Sequence, residues 1–162
     1  MNNGTFGTRG TNLPRIDDVD RKIIGELTEN GRVSFAELGR RVSLSSPAVA
    51  ERVQRLERAG VITGYRAEID PRALGYQLTA IVRIKPAAGQ LPRIPELAGQ
   101  IPEVGECHRI TGEDCFYMKV HLRSIDELGD LLDRFLVYGE TTTSLINASP
   151  IPRRDPPLST TG

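Results

Sequence analysis

Two groups of side chains in this 162-residue chain have the types and spacing to do chemistry. The first is cationic. In SSPAVAERVQRLERAG, residues 45–60, Val49, Val53 and Leu56 recur at i, i+4 and i+7 as the buried stripe of a helix. At 100° per residue, Ala48, Glu51, Arg52 and Arg55 are read as projecting from the opposite side. A small residue near the start lets such a helix enter the major groove, and guanidinium forks can pair with guanine O6 and N7 or with phosphate. An amphipathic helical hairpin with a solvated basic face has the same pattern. The second group is Gly112-Glu113-Asp114, where the glycine allows close backbone approach and either acid can accept from an ammonium group. The same three residues are also ordinary turn chemistry.

Other chemistries lack their parts. His108 and His121 fall on separate extended runs with no second His or Cys at ligand spacing, so no metal is expected. No nucleophile–base pair and no phosphate-binding glycine loop is present, so neither an enzyme nor a bound cofactor is expected. Cys107 and Cys115 flank the Gly112 turn out of simple hairpin register, and free thiols are expected.

The elements that must hold the cationic group come first in the chain. Residues 1–15 are mostly Gly, Thr and Asn and read as a flexible arm. Asp17 to Glu29 reads as a helix with Asp17, Asp18 and Asp20 at its positive end and Val19, Ile23 and Leu27 along one face. Ser34 and Glu37 suggest a capping box opening a second helix with Phe35, Leu38 and Val42 on one stripe. Ser45 or Ser46 caps a third, with Pro47 early and Gly60 at the end. Three helices at 17–29, 34–42 and 46–59 form a helix-turn-helix domain over 16–66, in which VITGYRAEID is expected to be a wing or departing strand.

Residues 67–75 read as a linker, 76–151 as a second domain and 152–162 as a tail. In the second domain Tyr76 to Ile84 alternates with period two, Leu91 to Ile101 has helical spacing, and 104–111 and 115–122 flank the acidic turn. Ser124 with Glu127 opens another helix, and 141–149 is a last strand. This βαββαβ order is a ferredoxin-like unit, making the whole chain α+β. One sheet face, bearing Ile81, Arg83 and Lys119, is left bare, and a second copy would cover it.

Net charge is zero, yet residues 40–66 hold six basic against two acidic residues, whereas 67–162 hold ten against thirteen. Positive potential gathers where the helical pair lies, which favours DNA as partner. With no long apolar run and no apolar leader at the N-terminus, neither a membrane span nor a secretion signal is read, and a cytoplasmic, nucleoid-associated protein is expected.

Across about Ile16 to Ile151 the chain resembles the Lrp/AsnC, or feast/famine, family of transcriptional regulators. The resembling stretches are IDDVDRKIIGELTENGRVSFAELGRRVSLSS, RVQRLERAGVITGYRAEIDPRALG and HRITGEDCFYMKVHLRS. The resemblance implies DNA binding by the first domain and dimerisation through the sheet of the second. It further implies assembly to higher oligomers, often octamers, with amino acids bound between subunits near Thr111 to Asp114. Many members carry an aspartate three residues after the glycine; here that place is Cys115 and Asp114 lies one earlier.

The expected DNA contacts are Arg52 and Arg55 on bases, with Arg40, Arg41, Ser45 and Ser46 on phosphates of a near-palindromic operator. The expected effector site is the turn at Gly112, Glu113 and Asp114, with Val104 and Gly105 beside it. Thr141, Thr142 and Thr143 would hold the carboxylate, and Ile101 with Val104 would select the side chain. Two other functions fit the same outline: a haem-pathway decarboxylase of related fold, and an architectural DNA-binding protein indifferent to effectors.

Overall fold

The structure, a computed structural model, describes residues 15–158. The arm expected over 1–15 therefore lies, except for Arg15, outside the described residues. The chain forms two compact units. One runs to Ala67 and includes the segment from Arg153 onward; the other is Glu68–Pro152.

In the first unit, α1 spans Asp18–Glu29, α2 Phe35–Val42 and α3 Ser46–Arg58. The reciprocal cap sits on α1: the Asp20 N–H donates to Asp17 Oδ1 at 2.7 Å, and the Asp17 N–H to Asp20 Oδ2 at 3.2 Å. On α2 only half of the expected box forms. Ser34 Oγ accepts from the Glu37 N–H at 3.2 Å, but the Glu37 carboxylate goes to Arg40 and Arg41. Ser43, at φ 58°, turns the chain out of α2, and Ser45 caps α3. Ile23, Leu38, Val42, Val49, Val53 and Leu56 make the core. Phe35, expected in that stripe, is 40% exposed.

Beyond Gly60 the expected wing does not form, since residues 61–70 enter no ladder. The segment is tied back to α3 instead. The Val61 and Ile62 N–H groups donate to Leu56 O, and the Tyr65 hydroxyl donates to Glu57 at 2.9 Å. Partial burial and that bond push the Tyr65 phenol up to about 12. The expected linker holds a 3₁₀ turn, Pro71–Leu74, capped by Asp70. At the other end of the chain Leu158 lies against Gly25 of α1.

The second unit runs β1 (Leu78–Pro86), α4 (Arg93–Ala98), β2 (Val104–Arg109), β3 (Phe116–Leu122), α5 (Ile125–Leu136) and β4 (Gly139–Leu145). The four strands form one antiparallel sheet in the order β2-β3-β1-β4, the expected split arrangement. Alternation decides which side is covered. Ala80, Val82 and Ile84 of β1 and Phe116, Met118 and Val120 of β3 are buried in one core with Ile94, Leu128, Leu131 and Phe135 of the helices. Arg83, Lys85, Tyr117 and Lys119 point to the other side, with Ile81 half-buried among them. Cys107 pairs with Met118, and the Ile110 N–H donates to Cys115 O, so the two cysteines occupy different cross-strand positions and both are free.

Candidate DNA and effector sites

Asp20 is the one fully buried charged residue among the described residues, and it decides how α3 is presented. Its carboxylate accepts from Arg52 at 2.8 Å and from Arg55 at 2.5 Å, while Arg52 also donates to Asp17 at 2.7 Å. The Arg52 bond, with the cap's backbone donor, holds the Asp17 carboxyl down at about 2. The two guanidinium groups expected to face DNA thus bind the N-terminal cap of α1. For Arg52 the reason lies in helix geometry, since it is only about 60° from the centre of the Val49–Val53–Leu56 stripe, whereas Arg55, about 125° away and 47% exposed, reaches back to Asp20. Ala48, on the same flank, is half-buried.

The side turned furthest from the core carries Pro47, Glu51, Gln54 and Arg58, all exposed. Ser45 and Ser46 are exposed at the start of α3, where Ser45 Oγ accepts from the Ala48 N–H. Arg40 is 78% exposed and bonded to Glu37, and Arg41 bridges Glu37 at 2.9 Å and Glu26 at 2.6 Å. Gln54 and Arg58 were missed in the sequence reading. The signal was present, since both lie within about 50° of the direction opposite the buried stripe.

In the second unit the expected effector residues separate into distinct places. Gly112, at φ 112°, opens the turn between β2 and β3, and Asp114 is bonded to Arg83 on the uncovered face at 3.0 Å. Glu113 is exposed. Val104 pairs with Val120 near the other end of β3, so Val104 and Gly105 are not beside the turn within one chain. Antiparallel hairpin order requires this, because a strand's start and its closing turn are at opposite ends. Gly105 sits at a bulge, and a Cβ there would meet the His121 ring at 3.3 Å. Ile101 is 4% exposed, belongs to the core and lines a cavity with Glu103, Leu122 and Arg134, away from the Gly112 turn.

The three threonines do not act together. Thr141 and Thr143 pair with Ile84 and Val82 of the covered face, while Thr142 pairs with Arg83 on the uncovered one. Strand alternation makes that division unavoidable. Thr143 Oγ1 is buried without a hydrogen-bond partner. His121 Nδ1 lies 3.1 Å from Thr79 Oγ1, and partial burial, reinforced by Lys119, lowers its pKa.

Residues 16–57 match the AsnC-type helix-turn-helix domain and residues 79–156 the Lrp/AsnC ligand binding domain. The chain belongs to the Lrp/AsnC family. Over 134 residues it is 40% identical to an uncharacterized HTH-type transcriptional regulator, YezC, of Bacillus subtilis, covering 83% of this chain and 95% of that one. The solved structure of B. subtilis LrpC superposes with a TM-score of 0.80 at 32% identity, over 83% of this chain and 96% of the other. The feast or famine regulatory protein Rv3291c of Mycobacterium tuberculosis, complexed with L-methionine, superposes with a TM-score of 0.78 at 36% identity, over 87% and 98%.

An Lrp/AsnC member joins a helix-turn-helix to a ligand-binding domain, and both are present here in that order. The protein is therefore a DNA-binding transcriptional regulator under effector control. Its relatives are named as regulators rather than enzymes. Among the described residues no helix is long and apolar enough to cross a membrane.

Proposed function

We propose that this regulator binds a near-palindromic operator as a homodimer, through the exposed side of α3, and that an amino acid bound by the sheet domain changes its operator affinity. The observation that carries the effector assignment is the Arg83–Asp114 pair, two opposite charges 3.0 Å apart on the uncovered sheet face beside the Gly112 turn. A zwitterion presents a carboxylate and an ammonium at similar separation. Arg83 can fork onto the first, while Asp114 or Glu113 accepts from the second. The methionine complex of Rv3291c supports the ligand class.

On the DNA side, Arg40, Ser45, Ser46 and Arg58 are positioned for phosphates. Arg52 and Arg55 tie α3 to the cap of α1, Ala48 packs on its flank, and Arg41 ties α2 to α1 through Glu26. The uncovered sheet face, with Ile81 half-buried and Tyr117 beside it, is the dimer surface in this reading, and a two-fold dimer offers two copies of α3 to half-sites one helical turn or a multiple apart. Dimers assemble to octamers, with Val104 and Gly105 of one copy brought to the Gly112 turn of another. A cytoplasmic, nucleoid-associated protein is the setting this activity requires.

The test is a paired titration of the full chain with operator DNA and each amino acid. One amino acid should shift operator affinity about 5 to 150-fold, and operator should shift that ligand's affinity by the same factor. Arg83→Ala and Asp114→Ala should each weaken the ligand, with sedimentation showing that both variants still dimerise. An unaltered ligand affinity in both variants would move the site elsewhere.

A further inference from the structure

Within the exposed side of α3, two residues are suited to base recognition: we infer that Gln54 reads an adenine in each half-site, with Glu51 one turn earlier accepting from the amino group of a nearby cytosine. The inference rests on the DNA-binding reading above and adds the residue and base.

Three observations carry it. First, the guanidinium groups that would otherwise dominate base contacts on α3, Arg52 and Arg55, are bound by Asp17 and Asp20. The third arginine, Arg58, stands in the last turn, far from the N-terminal end that enters a groove deepest. Second, Gln54 is exposed in the middle of α3, and its amide makes no side-chain hydrogen bond among the described residues. Both its donor and its acceptor are therefore available. Third, the residues on Gln54's side toward the start of α3, Pro47 and Ala50, are short, so the N-terminal part of the helix can approach a groove closely.

The chemistry then selects the base. A glutamine amide presents one acceptor and one donor side by side, which complements N6 and N7 of adenine; guanine offers two acceptors there and meets only half of it. Glu51 can only accept. A carboxylate in the groove is repelled by phosphate and satisfied by cytosine N4. Residues 51 and 54 are separated by about 4.5 Å along the helix axis, comparable with the spacing between neighbouring base pairs.

The experiment is selection of the full-length protein on a randomised duplex library, followed by binding to the selected duplex with every base pair replaced in turn. Wild type should prefer adenine at one position per half-site by tenfold or more. Gln54→Ala should abolish that preference and leave the others standing, and Gln54→Arg should transfer it to guanine. Gln54 is solvent-facing, and circular dichroism with thermal melting checks that both variants are folded. Full retention of the adenine preference in Gln54→Ala would overturn the assignment, as would uniform weakening on all sequences, the signature of a phosphate contact. Failure of the parent reading shows itself separately, as a wild-type protein that selects no sequence at all.

Discussion

Replacing Asp20 with Asn tests the part of the first unit on which the placement of α3 depends. Asparagine keeps the shape and a side-chain oxygen for the Asp17 N–H, but it removes the charge that faces Arg52 at 2.8 Å and Arg55 at 2.5 Å. Each lost charge-assisted bond is worth about 1.5–3 kcal/mol. Both arginines are partly exposed, at 30% and 47%, and regain water, while Arg52 keeps Asp17. A net loss of about 3 kcal/mol follows, less than the upper end for a fully buried pair broken on one side. For a unit of this size that lowers Tm by roughly 12–24 °C. Calorimetry of the full chain should show the loss in the transition of the first unit only. A double-mutant cycle with Arg55→Met should return a coupling of at least about 1 kcal/mol, because the two share one carboxylate. A Tm within two or three degrees of wild type, or a coupling near zero, would refute the reasoning.

Asp17 gives the same network an acid limit. Its pKa is lowered to about 2, so its stabilisation is complete above about pH 4 and is lost as pH falls through about 2, with Arg52→Met reducing that dependence in acid melts and the Asp20 N–H keeping the remainder. His121 acts at milder pH. Its lowered pKa means the unfolded chain takes up a proton first, so the second unit should lose stability as pH drops below about 6.5, and His121→Gln should flatten the slope. Gly39→Ala should cost about 1–3 kcal/mol, since the new Cβ would lie 2.5 Å from the backbone oxygen of Leu44. Gly129→Ala, in open space on α5, should raise stability by about 0.5–1 kcal/mol; equal melting temperatures for the two variants would contradict both estimates.

The fold was readable wherever burial imposes a period. Leu38 with Val42, and Val49 with Val53 and Leu56, mark α2 and α3, and the alternation of Ala80, Val82 and Ile84 marks β1. Order and turn chemistry then led to the split sheet. What stayed hidden depends on distant parts of the chain. No local pattern says that Asp20 meets Arg55 thirty-five residues later, so the three acids of α1 read as dipole partners instead of a clamp. Phe35 continues the α2 stripe in sequence but lies at its edge and stays 40% exposed. The TTT run was taken as one patch, although a strand must send Thr142 away from Thr141 and Thr143. Val104 and Gly105 precede the Gly112 turn by only a few residues in sequence, yet the hairpin carries Val104 to the far end of its partner strand.

The Asp17–Asp20 clamp also bears on how a single operator is found among millions of other sites. Random DNA attracts a protein through the cations it can press against phosphate, and each one engaged releases counterions and steepens the salt dependence. With Arg52 and Arg55 already neutralised by carboxylates of their own chain, the first unit meets unrelated duplex with fewer free cations than its composition suggests. Dwell times on the wrong sequence shorten, and less of the cellular pool is held on bulk chromosome. On the proposed reading, recognition then rests on Gln54 and Glu51, side chains that bring no cation to random DNA.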